Sequence, residues 1–155
     1  MAHQTQNYTM DTFNRLKSAG AVAADAAGTV AGQPAYVDFG GPLAYAEFDV
    51  IVDWTACEVD DGDEVYLLEL QGSDSSTFST YHVLAERRFG ALSGKGPAAN
   101  TPPVGRAVLR GDNLALIDSA SGAAVKTMRY LRAYLVVQGS VSTGFDYSAS
   151  LHPKQ

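Results

Sequence analysis

Ala44-Tyr45-Ala46-Glu47-Phe48-Asp49-Val50-Ile51-Val52-Asp53-Trp54 alternates without a fault. One parity reads Ala44, Ala46, Phe48, Val50, Val52 and Trp54; the other reads Tyr45, Glu47, Asp49, Ile51 and Asp53. Side chains on a strand point to opposite faces with a period of two, so the segment predicts a strand with one dry face and one mostly wet face.

The same grammar continues outward. Glu64 to Gln71 puts Tyr66, Leu68 and Leu70 on one face, Arg129 to Gln138 aligns Leu131, Leu135 and Val137, and Gly144 to Leu151 aligns Phe145, Tyr147, Ala149 and Leu151. Further strands are expected at Ala35 to Phe39, Tyr81 to Phe89, Val104 to Arg110 and Asn113 to Asp118. Turn chemistry separates them: Gly40-Gly41-Pro42, Asp60-Asp61-Gly62-Asp63, a Ser/Thr/Asp loop around Phe78, a long loop from Gly90 to Pro103, and Gly111-Asp112. Eight antiparallel strands with this spacing predict an all-β fold of two packed sheets, and eight is the jelly-roll number. An immunoglobulin-like order stays open, although its usual cysteine pair is absent.

Residues 1–34 read differently. Tyr8, Met10, Phe13 and Leu16 are spaced too irregularly for a helix, and the alanines from Ala19 onward are interrupted by Gly20, Gly28 and Gly32. The expectation is an extended N-terminal arm over 1–34 and a sandwich domain over 35–155. An arm poor in large apolar groups orders against a neighbour, so Tyr8, Phe13 and Leu16 are expected to contact another chain.

Composition narrows the function. The chain has 155 residues, 46% of them apolar, which suits one globular domain. Its 11 Lys and Arg against 17 Asp and Glu leave a net charge of −6, poor material for binding nucleic acid. Cys57 is the single cysteine, so no intrachain disulfide forms, and a reducing cytoplasm is the expected place of synthesis. The N-terminus lacks the basic-then-apolar pattern of a signal peptide, and no apolar run approaches the ~18 residues of a membrane span.

Little in the sequence resembles chemistry. His3, His82 and His152 are scattered without a His-x-His pair, which leaves a metal-binding cupin without ligands. Asp60, Asp61, Asp63 and Glu64 crowd carboxylates together but lack EF-hand spacing, so a solvated turn is expected there. Glu47 and Asp49 share the wet face of their strand, as a solvated surface would. No nucleophile elbow or phosphate loop occurs. No catalytic residue, metal or cofactor is expected, and the chain reads as a binding protein and not an enzyme.

The aromatic residues say more. Tyr130, Arg132 and Tyr134 line the face opposite Leu131 and Leu135. Tyrosine and arginine are enriched where proteins meet. This face either binds a partner or packs within the sandwich with Arg132 at its edge.

Two stretches carry a resemblance. Gln71-Gly72-Ser73-Asp74-Ser75-Ser76-Thr77-Phe78-Ser79 follows the apolar strand ending Leu68-Glu69-Leu70. Arg129-Tyr130-Leu131-Arg132 opens a late strand that closes on Gly139-Ser140 and leads to Thr143-Gly144. With Val37-Asp38-Phe39-Gly40, this arrangement resembles the jelly-roll capsid cement, or decoration, proteins of tailed bacteriophages, over roughly residues 35–151. The loop from Gly90 to Pro103 is longer than that pattern. The resemblance implies a virion structural protein on the outer surface of an HK97-type shell, made in the host bacterial cytoplasm. Its implied partners are the major capsid protein, whose neighbouring subunits it bridges, and further copies of itself. A homodimer is the favoured state, and trimers occur among related decoration proteins. Membrane and nucleic-acid partners are not expected. The alternative is a carbohydrate-binding jelly-roll module, which exposed Tyr or Trp would mark; Trp54 has the parity of the core.

Overall fold

The computed structural model describes residues 14–39, 47–91, 100–112 and 128–153. These form twelve strands: β1 (Arg15–Lys17), β2 (Ala21–Val22), β3 (Ala26–Ala27), β4 (Thr29–Val30), β5 (Gln33–Pro34), β6 (Val37–Asp38), β7 (Glu47–Cys57), β8 (Val65–Ser73), β9 (His82–Gly90), β10 (Gly105–Asp112), β11 (Tyr130–Gln138) and β12 (Phe145–Pro153). One sheet, here sheet A, runs β1-β12-β7-β10 with β2 also on β12; sheet B runs β3-β11-β8-β9 with β6 also on β11; β4 and β5 form a small ribbon. The pairings are antiparallel. Among the described residues no helix is long and apolar enough to cross a membrane.

The two sheets are glued by the parity that the sequence displays. From sheet A come Phe48, Val50, Val52 and Trp54 of β7 with Phe145, Tyr147, Ala149 and Leu151 of β12; from sheet B come Tyr66, Leu68 and Leu70 of β8 with Leu131, Ala133 and Leu135 of β11. Burial of this apolar surface is the main stabilising term. Phe145 sits at its centre, with ring centroids of Phe89 at 4.9 Å, Tyr147 at 5.2 Å and Tyr66 at 5.3 Å. Past Trp54 the alternation breaks: the register with β12 shifts between Asp146 and Tyr147, and after exposed Thr55 and Ala56 the next inward side chain is Cys57. Burial pushes the Cys57 thiol up to about 11, so it is an inert core group.

The N-terminal segment departs from expectation. Residues 15–34 are extended, but they are stitched into both sheets and do not stand apart as an arm. Arg15 and Lys17 register with Ser150 and Ala149 of β12, while Ala26 and Ala27 pair with Leu135 and Tyr134 of β11. Six of the twelve strands therefore lie before residue 39, where one was expected. The alanines and glycines that suggested a loose arm serve close backbone approach. Gly28 donates its N–H to the Ala133 carbonyl at 2.9 Å and accepts from Ala35 N–H at 2.8 Å, and a Cβ on Gly28 would strike the Leu16 carbonyl. The strand expected at Asn113 to Asp118 lies outside the described residues, and Gly111-Asp112, expected as a turn, ends β10.

A carboxylate locks one end of the sandwich. Glu58, just after β7, accepts from Ser142 Oγ at 2.7 Å and from the backbone N–H groups of Thr143 and Gly144 at 2.6 Å each. These donors, led by the Ser142 hydroxyl, hold the Glu58 carboxyl down at about 2. Gly144 has φ of +86°, which an L side chain rarely adopts and which aims three successive donors at one acceptor. The lock joins the β7–β8 connection to the β11–β12 turn, so it ties the two sheets together.

Candidate functional site

β11 alternates cleanly. Leu131, Ala133 and Leu135 face inward at 0% exposure, which turns Tyr130, Arg132 and Tyr134 outward on sheet B. Antiparallel register sets Arg132 beside Gln71 and Tyr134 beside Glu69 on β8. The loop after β8 then folds back over this face. Ser73 Oγ donates to the Thr80 carbonyl at 2.6 Å and accepts from Ser75 N–H at 3.0 Å, and Phe78 N–H donates to the Ser75 carbonyl at 3.0 Å. Phe78, at a positive φ of 52°, is thereby turned inward against the sheet and is 6% exposed.

Arg132 occupies the middle of the resulting cluster. Its guanidinium lies 4.3 Å from the Phe78 ring centroid, 4.9 Å from Tyr134 and 5.9 Å from Tyr81, within cation–π range. Its Nε donates to Gln71 Oε1 at 2.9 Å, and buried Gln71 in turn donates Nε2 to Glu69 Oε2 at 2.6 Å. The amide thus stands between the cation and Glu69. Burial among the rings pulls Arg132 below the ordinary guanidinium value, but an arginine remains charged in any working range.

Tyr36 enters from the chain just before β6, which pairs with β11. Its ring meets Tyr130 edge-on at 5.5 Å and tilts against Phe78 at 6.3 Å. Arg129 covers the Tyr130 ring at 5.0 Å and forks onto Asp38 at 2.8 and 2.9 Å, fixing that corner. The outcome is a contiguous surface of rings around one held guanidinium. Tyr36, Tyr81 and Val83 stand out at 43%, 47% and 43% exposure.

The structure brings together Tyr130, Arg132 and Tyr134, the three residues expected on this face. Leu16 does not join them. It is fully buried, so it fills the core and is not a contact for another chain. Tyr8 and Phe13 lie outside the described residues. Sequence reasoning missed Tyr36, Gln71, Phe78 and Tyr81 as members. The parity of Tyr36 against buried Val37 was available as a signal; the return of Phe78 from its loop was not.

Two other clusters carry suggestive residue types. Ser150 Oγ and His152 Nε2 lie 3.1 Å apart, and Asp49 stands opposite His152 in the β7–β12 register. Ser150 and His152 are two apart on one strand, so pleating alone sets them side by side on the outer face of sheet A. The carboxylates of Asp61, Asp63 and Glu64 gather within 4.8 Å. Glu64 accepts the Asp61 and Gly62 N–H groups at 2.7 and 2.9 Å, and Asp63 accepts Ser140 N–H at 3.1 Å and Ser140 Oγ–H at 3.2 Å. Those oxygens are engaged in shaping the turn.

No protein-family model matches the chain, and no curated protein matches it. The functional reading therefore rests on the geometry.

Proposed function

We propose that the protein is a capsid decoration protein of a tailed bacteriophage: a jelly roll that docks as a homo-oligomer on the outside of an HK97-type shell and bridges neighbouring major capsid subunits. The observation that carries this reading is the ring surface centred on Arg132. Tyr and Arg anchors on a rigid sheet are what a docking protein requires. Half-exposed rings such as Tyr36 and Tyr81, backed by buried Phe78, gain free energy when a partner covers them.

The strand order supports the jelly-roll assignment. The steps β6 to β7, β7 to β8, β9 to β10, β10 to β11 and β11 to β12 each change sheet, while β8 and β9 form a hairpin within one sheet. Counting β3 and β6 as one interrupted strand beside β11, and β1 as its counterpart beside β12, makes this order compatible with eight strands in two Greek keys. The net charge of −6 favours a place away from packaged DNA.

The test is co-sedimentation of the purified protein with undecorated, expanded shells of the same virus. The expected result is saturable pelleting that Arg132→Ala together with Tyr81→Ala abolishes while the variant still melts as a folded protein. Protein left in the supernatant at saturating shell concentration overturns the proposal. A carbohydrate-binding role is the second reading, favoured by exposed Tyr36 and Tyr81 close to the Gln71–Glu69 pair. Saturable binding on a glycan array, with no binding to shells, selects it.

A further inference from the structure

The guanidinium at the centre of the sheet B surface is held through one nitrogen. Arg132 Nε–H donates to Gln71 Oε1 at 2.9 Å, and Gln71, 1% exposed, donates in turn to Glu69 Oε2 at 2.6 Å. Among the described residues neither Nη of Arg132 has a hydrogen-bond acceptor, and no carboxylate forms an ion pair with it. The ring centroids of Phe78, Tyr134 and Tyr81 surround the group at 4.3, 4.9 and 5.9 Å, yet a ring offers an N–H no oxygen. Arg132 is itself partly exposed, and Tyr81 and Tyr36 in the same cluster are 47% and 43% exposed, so solvent reaches this surface.

A partner that covers the rings also strips water from the Nη groups. A charged donor buried without an acceptor is strongly unfavourable, so the partner has to bring oxygen to this point. A backbone carbonyl satisfies an N–H but leaves the positive charge uncompensated where water has been removed. A phosphate brings excess negative charge to a single cation, with Glu69 close enough to act on Arg132 and with Arg129 already committed to Asp38. A carboxylate brings one charge and two coplanar oxygens, which match the Nη pair that Gln71 leaves unused.

We propose that Arg132 receives an acidic side chain, Asp or Glu, of the protein that docks on sheet B, with apolar neighbours of that residue lying on Tyr36 and Tyr81. The inference rests on the reading of this face as a docking surface, and it adds the chemistry of the partner. Gln71 is then a positioning residue: buried beside Arg132 in the β8–β11 register, it fixes the guanidinium through Nε and leaves the Nη pair for the partner.

Acetyl-Leu-Glu-Leu-amide is titrated into the isotope-labelled full chain while NMR follows the Arg132 side-chain Nε–H signal, identified by its absence in Arg132→Lys. Acetyl-Leu-Gln-Leu-amide, glucuronate and inorganic phosphate serve as comparisons. The glutamate peptide is expected to shift the signal saturably and to bind at least about tenfold more tightly than its glutamine counterpart. Folded Arg132→Gln, read at the backbone amides of β11, is expected to bind the glutamate peptide about tenfold more weakly, with Arg132→Lys between it and the unaltered chain. The proposal is overturned if the glutamate peptide does not titrate, if the glutamine peptide or phosphate titrates equally well, or if folded Arg132→Gln binds as tightly as the unaltered chain. Binding of glucuronate without the glutamate peptide also overturns it and selects the carbohydrate reading. Shell co-sedimentation separates this inference from the reading beneath it. A glutamate peptide that titrates Arg132 while shells pellet no protein supports the acidic-side-chain site and overturns the shell reading. Pelleting that Tyr36→Ala and Tyr81→Ala reduce but Arg132→Gln leaves unchanged keeps the docking face and overturns this inference.

Discussion

The outer faces of the two sheets use the same pleat for opposite purposes. On sheet A, Arg106 stands across from Asp53 and Arg110 across from Asp49, with Val108 beside Ile51 between them. On the other flank Ser148, Ser150 and His152 complete the rows. It is a chequerboard of complementary charge and small polar groups, and water serves it as well as any protein would. On sheet B the corresponding surface gathers Tyr36, Tyr81, Tyr130, Tyr134 and Phe78 around a single cation held by a neutral amide. Water serves that surface poorly. Exposed ion pairs contribute little to stability or affinity, whereas rings covered by a partner contribute much. The contrast teaches that one pleat yields a charge-paired surface on sheet A and an aromatic one on sheet B, and the second is the surface proposed for docking.

The largest expected effect erases both faces together. Phe145→Ala removes the ring at the centre of the core and should cost ~3–5 kcal/mol, read as a lower urea midpoint with an unchanged slope. A loss confined to one sheet, seen as two separated transitions, would break the view that a single core carries both surfaces.

Next comes the proposed docking face. Tyr36→Ala and Tyr81→Ala should each weaken shell binding by about 2 kcal/mol, roughly thirtyfold, if they behave as hot spots. Their melting temperatures should stay close to that of the unaltered chain, because both rings are already half in water. If Arg106→Gln on sheet A weakens binding as much, the two surfaces have been assigned the wrong way round.

A smaller effect concerns the staple between the sheets. The Glu58 carboxyl is held at about 2 against an ordinary 4.5. A depressed folded value means that its stabilisation is complete above the ordinary value and is lost as pH falls from 4.5 toward 2. Glu58→Gln should therefore lower the melting temperature at neutral pH and flatten its decline in that acid window. An unchanged decline in the variant would assign acid sensitivity to other carboxylates.

The smallest effect is expected from the sheet A ion pair. A double-mutant cycle on Asp53→Asn and Arg106→Gln should give a coupling near the limit of detection, vanishing at about 1 M salt, where charges are screened within a few ångströms. A large, salt-resistant coupling would show that this face is not simply solvated.

The sandwich was legible in the sequence for a local reason. Alternation is a property of neighbours, so Phe48 to Trp54, Tyr66 to Leu70, Leu131 to Leu135 and Phe145 to Leu151 announced their buried faces without knowledge of partners. The N-terminal segment was not legible, because Ala and Gly carry no side chain that declares a face. What they supply is room for one backbone beside another, as at Gly28, and that need exists only once both backbones are in position. The proposed docking surface was legible in part. Tyr130, Arg132 and Tyr134 lie on one strand, whereas Tyr36, Phe78 and Tyr81 reach them from two other segments.

The sequence by itself determined the all-β class, the inward parity of the long strands and the shortage of cations, since each depends on composition or on residues two apart. Tertiary structure alone decided that Leu16 is core, that Arg132 is ringed by aromatics and that Glu58 meets the Ser142–Gly144 turn. Those facts depend on pairs far apart in the chain, and only the closing of two sheets on one core brings such pairs within reach.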